Sequence, residues 1–195
     1  MRKLISMIMM LMMVCAAGQA EPATAPSQEG LDAAGAVVAM HAAVMEGVIG
    51  SDYRFSELAG GDSIYVLYTD PEMRNYLMIS LDEESHTRAD MAVIQCYSLK
   101  EFDTNGLDSL AALATPFIGS ESWEAFEGWL FSTAADIRDA ALSGGDVELT
   151  YYTGTYIACA MSLYHTDDGP MFTLIASWNT PLSAEDVSAL MTEEE

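Results

Sequence analysis

His165, Asp167 and Asp168 form the densest knot of chemistry-bearing side chains in this sequence. An imidazole beside two carboxylates is a partial ligand set for a divalent cation, or a base with an acid to orient it. Asp167-Asp168-Gly169-Pro170 is also turn chemistry, and a solvated hairpin tip is the ordinary reading of such a cluster. A metal or hydrolytic centre there needs further groups. The candidates are His41, His86, Cys96 and Cys159. A cysteine hydrolase would require one of those two thiols to be activated by one of the three histidines. Both cysteines lie inside expected strands, where thiols act as small apolar residues. Two cysteines in an exported chain also raise the possibility of a Cys96–Cys159 disulfide, and two separate buried thiols is the favoured alternative.

Other chemistry is thin. Asp103-Thr104-Asn105-Gly106-Leu107-Asp108 sets oxygen ligands at alternate positions near a glycine, but lacks the length and terminal Glu of a calcium loop. There is no Gly-x-Ser-x-Gly elbow, no phosphate-cradling glycine loop and no Cys-x-x-Cys. With so few convergent groups, no catalytic residue and no cofactor are assigned, and a non-catalytic role is expected. The alternative is a small secreted hydrolase or metal-dependent enzyme built around His165, Asp167 and Asp168. The other residue types suited to recognition are aromatic: Trp129, Tyr151, Tyr152, Tyr156 and Tyr164. Such side chains bury much area at small entropic cost, so they are the candidate contacts for a protein or peptide partner.

Residues 1–20 read as a signal peptide. Met1-Arg2-Lys3 is a basic start, Leu4 to Val14 an apolar run too short to span a bilayer, and Gly18 and Ala20 sit where a signal peptidase reads. This predicts a secreted or periplasmic bacterial protein. The alternative is a lipid anchor at Cys15, against which stands the bulky Val14 before it. Removing the leader takes away Arg2 and Lys3, leaving five basic residues against 30 acidic ones, a net charge of −25. Such a surface repels phosphate backbones, so nucleic acid is excluded as an expected partner. It favours solubility, and can also attract cationic partners or divalent cations. No later apolar run is long and clean enough for a membrane span.

The elements that must position these residues follow from periodicity. Residues 21–30 are a Pro/Ala/Ser linker, and 31–195 form one α+β domain. Leu31 to Ile49 carries apolar residues at three- and four-residue steps and predicts a helix with His41 beside its stripe. Tyr53 to Leu58 reads equally as an edge strand or a loop. Ile64–Tyr68, Tyr76–Leu81 and Met91–Leu99 predict a first trio of strands, with His86 in a polar loop between the last two. Asp108 to Ala114 is a short helix. Trp123 to Leu142 is a longer one, with Trp123, Phe126, Leu130, Ala134 and Ile137 on one stripe and Gly144-Gly145 closing it.

Residues 146–178 alternate with period two and predict a second trio, turning at Thr153-Gly154 and before Pro170. Ser183 to Asp186 reads as a capping box opening a last helix. The halves 31–116 and 120–192 thus repeat an α-βββ-α pattern. Each trio is too small to be stable alone. Fusing them predicts one antiparallel sheet of about six strands with helices on one face. In outline this resembles the tandem α-β repeats of bacterial β-lactamase-inhibitor-like proteins and secretion-chaperone-like domains. That likeness rests on no shared motif.

Overall fold

Ser27 opens the first helix. Its hydroxyl accepts the backbone N–H of Gly30 at 3.0 Å, filling the N-cap role that helix starts demand. The computed structural model describes residues 25–40, 54–60, 63–97 and 123–192. Within these, the order is α1 (Gln28–Met40), β1 (Arg54–Gly60), β2 (Ser63–Thr69), β3 (Tyr76–Leu81), β4 (Ala89–Cys96), α2 (Trp123–Ser143), β5 (Val147–Thr153), β6 (Ile157–Thr166), β7 (Gly169–Leu182) and α3 (Ala184–Thr192). The expected leader with Cys15, His41 and residues Asp103 to Asp108 lie outside the described residues, as does the expected helix at 108–114.

The protein is α+β, with one antiparallel sheet in the order β1-β2-β3-β4-β7-β6-β5. Among the described residues the sheet has seven strands, where about six were expected. The extra one is β1, which Arg54-Phe55-Ser56-Glu57 hides by showing no apolar alternation. Its stability comes from seven registered pairs with β2, from Arg54↔Thr69 to Gly60↔Ser63. The two meanders join through their last strands, where Val93 of β4 lies opposite Ile175 of β7. β7 runs further than expected at both ends. Pro170 lies within it, opposite His165, next to the two-residue turn Asp167-Asp168. Proline is tolerated there because it stands at the end of the ladder.

Period-two alternation gives the sheet two different faces. One carries Val66, Ile79, Ile94, Met161 and Leu174, and forms the main core with Ala34 and Val37 of α1, Phe126, Leu130 and Ile137 of α2, and Val187 of α3. α1 lies over β3 and β4, α2 over β5 and β6, and α3 beside α1 against β7. The opposite face holds a smaller cluster, Leu67, Met78, Val93, Ile175 and Ala160, edged by Tyr65, Tyr76, Met91 and Leu149. No described helix contributes to that cluster.

Helix ends follow the expected capping chemistry. Gly145 N–H bonds the Ala140 carbonyl at 3.0 Å while Gly144 takes φ +77°, a conformation that suits glycine and closes α2. At α3, Asp186 N–H donates to the Ser183 hydroxyl at 3.1 Å and Ser183 N–H donates to the Asp186 carboxylate at 2.8 Å. That reciprocity is a capping box, with Asp in place of the more usual Glu. α1 begins at Gln28, inside the stretch expected to be linker, because a Ser cap leaves no trace in apolar periodicity.

Candidate functional site

β6 delivers His165 to the end of the sheet where α2 turns into β5. There the His165 backbone N–H donates to Asp146 Oδ1 at 2.8 Å, and its ring Nδ1 lies 3.3 Å from the same oxygen. The imidazole is partly exposed and the Asp146 carboxyl more so, at 29% and 54%. Solvent of high dielectric screens a pair like this, so it serves mainly to tie the start of β5 to the end of β6. Asp146 is a partner that the sequence reading missed. The only signal available was its place just before a strand that pairs with the one carrying His165.

Asp167 and Asp168 sit exposed in the turn beyond. Asp168 engages through its backbone: its N–H donates to the Thr166 hydroxyl at 3.2 Å, and its carbonyl accepts Arg74 Nη2 at 3.2 Å. Arg74 also lies 5.4 Å from the Tyr97 ring centroid, joining the β2–β3 loop, the end of β4 and the β6–β7 turn. Among the described residues no group of three His, Cys, Asp or Glu side chains is placed to hold a metal ion. His86 is distant in role as well. It occupies the β3–β4 loop at φ 55°, and its carbonyl accepts the Ser27 hydroxyl at 2.9 Å.

Cys96 and Cys159 are both buried, and no disulfide joins them. Cys96 pairs with Phe172 and Cys159 with Ala176, on opposite sides of β7. Two strand spacings, about 9.6 Å, separate their backbones even before the offset along β7 is added. A disulfide tolerates only about 7 Å between Cα atoms. Burial pushes the Cys159 thiol up to about 12, away from the thiolate that nucleophilic chemistry requires.

The aromatic set divides between the two faces. Tyr152, opposite Cys159, faces the helices. It meets Phe126 edge-on at 5.2 Å and Trp129 at 5.9 Å, while Trp129 lies 6.0 Å from Phe126. These rings form the outer wall of the core between α2 and β5, a packing role. The buried Trp129 indole N–H finds no acceptor among the described residues.

Tyr151 and Tyr164 lie on the other side. Tyr151 is opposite Ala160 of the smaller cluster, and Tyr164, four residues further along β6, alternates onto the same face. Tyr151 is 51% exposed, and Tyr156 in the β5–β6 loop 63%. β5 pairs with β6 alone among the described strands, so one backbone edge of it has no described partner.

No described helix is long and apolar enough to cross a membrane. Comparison of the chain with protein-family models, curated proteins and solved structures gives no match.

Proposed function

We propose that the chain is an exported bacterial binding protein without catalytic chemistry, which holds a protein or peptide partner at the β5–β6 side of its sheet. The observation that carries this reading is the disposition of the tyrosines. Tyr151 and Tyr156 stand in solvent on an end strand of the sheet and the loop beside it, and Tyr164 shares with Tyr151 the face to which no described helix contributes. Exposed aromatics cost an isolated soluble domain and are favoured where a partner will cover them. The negative charge disfavours nucleic acid as that partner. The described titratable groups support a non-catalytic reading, since Cys159 is buried, Asp82 caps a turn and His165 is tied to Asp146.

We also read residues 31–116 and 120–192 as two copies of one α-β unit. Counting outward from the central Val93–Ile175 pair supports it. One step out stand Met78 and Ala160, and two steps out Leu67 and Tyr151. The adjoining residues Tyr68 and Tyr152 correspond in the same way, as do Thr69 and Thr153.

The test of function is retention of proteins from culture fluid of the source bacterium on immobilised protein. Replacing Tyr151, Tyr156 and Tyr164 together by Ala is expected to cut the specifically retained material at least tenfold, with the melting temperature little changed. Trp129→Ala should do the reverse, lowering the melting temperature by several degrees and leaving retention intact below it. Equal retention by the triple variant would sink the reading.

A further inference from the structure

Two apolar stripes run along α2, and only one of them faces the sheet. Phe126, Leu130, Ala134 and Ile137 are buried on the side that meets β5 and β6. On the other side Phe131 is 59% exposed and Leu142 83% exposed. Eleven residues separate these two. At 3.6 residues per turn and 1.5 Å per residue, their side chains stand about 20° apart round the axis and about 16 Å apart along it. Glu124, Glu127, Ala135 and Arg138 fall within about 40° of Phe131 on the same count. Exposed apolar residues scattered singly need no explanation, but a pair aligned on one helix marks a contact surface.

Charge selects the occupant. α2 carries four carboxylates and one cation, Arg138. Glu124 lies in the first turn, where the helix dipole favours it, but Glu127 stands beyond the reach of that effect. Both are exposed, in a chain of net charge −23. Lys or Arg is their complement. A second copy would bring the same four carboxylates against its own, and like charges across an interface cost affinity. The outer surface of a helix takes another helix, ridges into grooves. A ligand that offers apolar side chains along one line and cations beside them is an amphipathic helix.

We infer that the outer face of α2 docks an amphipathic helix of a partner protein, which sets apolar side chains on Phe131 and Leu142 and Lys or Arg beside Glu124 and Glu127. This surface lies on the opposite side of the sheet from Tyr151 and Tyr164. It goes beyond the tyrosine reading above and does not depend on it.

The probe is an amidated peptide of Leu, Ala and Lys, about 18 residues long so that it holds a helix, with its Leu residues at heptad spacing. It is titrated into the exported protein labelled with 15N, and amide shifts are followed along the chain. The expected result is saturable binding with shift changes centred on α2. A scrambled peptide of the same composition and charge, its Leu scattered round the helix, should bind at least tenfold more weakly. Phe131→Ser with Leu142→Ser should weaken the patterned peptide at least tenfold and leave the melting temperature unchanged, since both side chains already stand in solvent. Glu124→Gln with Glu127→Gln should weaken it about threefold and flatten the loss of affinity between 50 and 200 mM salt, as removal of exposed charge pairs does.

Equal binding of the scrambled peptide would reduce the contact to bulk charge and overturn the inference. So would shift changes centred away from α2, undiminished binding by the serine variant, or no binding at all. A fall of several degrees in the serine variant's melting temperature would show Phe131 and Leu142 to be packing residues, with the same result. Sedimentation of the wild type as a dimer that the serine variant dissolves would make a second copy the occupant and overturn the choice of partner. The triple tyrosine variant should bind the peptide as the wild type does. Its failure to do so would move the site off α2, whereas retention that ignores the tyrosines would sink the earlier reading and leave this one standing.

Discussion

The Ser27 hydroxyl sits between two backbone groups, accepting from Gly30 N–H and donating to the His86 carbonyl at 2.9 Å. One side chain thus caps α1 and fastens it to the β3–β4 loop. The contact is close enough to dictate the next residues. A Cβ placed on Gly30 would come within 2.6 Å of Leu81 Cδ1 and closer still to the His86 carbonyl oxygen.

Gly30→Ala is therefore expected to destabilise by about 1–3 kcal/mol, the usual result of overpacking. An unobstructed helix site would instead gain up to about 1 kcal/mol from the same change. Ser27→Ala should cost about 1 kcal/mol through the lost cap. Urea unfolding of both variants checks this, and a stabilised Gly30→Ala would show that the helix start does not pack on the loop.

Asp82 organises the same loop from the other side. Burial alone would raise its carboxyl, but it accepts the Ser85 hydroxyl at 2.6 Å and backbone N–H groups of Arg88, Ser85 and Thr87. These bonds outweigh burial and hold it below its ordinary 3.8. Asp186 in the α3 cap is lowered too, chiefly by the Ser183 hydroxyl and N–H. A carboxyl lowered on folding adds stability that is present above its unfolded value and is lost as pH falls through the folded one. Stability should therefore drop as pH falls below about 4. Asp82→Asn should cost about 1–2 kcal/mol at pH 7. That difference should begin to shrink below pH 4, as the carboxyl of the unfolded chain takes up its proton, and disappear only as pH falls through the lowered folded value. A difference that stays constant from pH 7 to pH 3 would remove the carboxylate from this role.

A third expectation concerns the thiols. With its value near 12, Cys159 at pH 8 is a thiolate in about one molecule in ten thousand. Cys96 is buried as well. A disulfide-exchange reagent should thus label neither cysteine readily in the native protein, and both rapidly in strong guanidinium. Fast native labelling of either would reopen a cysteine-based active centre.

Much of the scaffold was readable in advance because local rules decide it. Sequence alone bounds Tyr76–Leu81 to the residue, since turn chemistry flanks it on both sides. The start of α2 at Trp123 and the cap at Ser183 were equally plain. β1 was not, because only its ladder with β2 makes Arg54–Gly60 a strand. The aromatic set was grouped by type, although Tyr151 and Tyr152 are neighbours in a strand and alternation alone sends them to opposite faces. Trp129 could be read as packing or as contact until the positions of Phe126 and Tyr152 were known. Asp146 was invisible as a partner of His165, since 19 residues and a strand pairing separate them.

The seam between β4 and β7 also has a kinetic consequence. Each meander is built from neighbours in sequence, but Val93 and Ile175 meet across 82 positions of chain. Loop closure over that span must come before the seam rewards it, so the hairpins form early and the seam zips late. Until it does, β4 and β7 each offer an open border to their opposite number in another molecule. Concentrated refolding is thus expected to favour exchange of halves between chains.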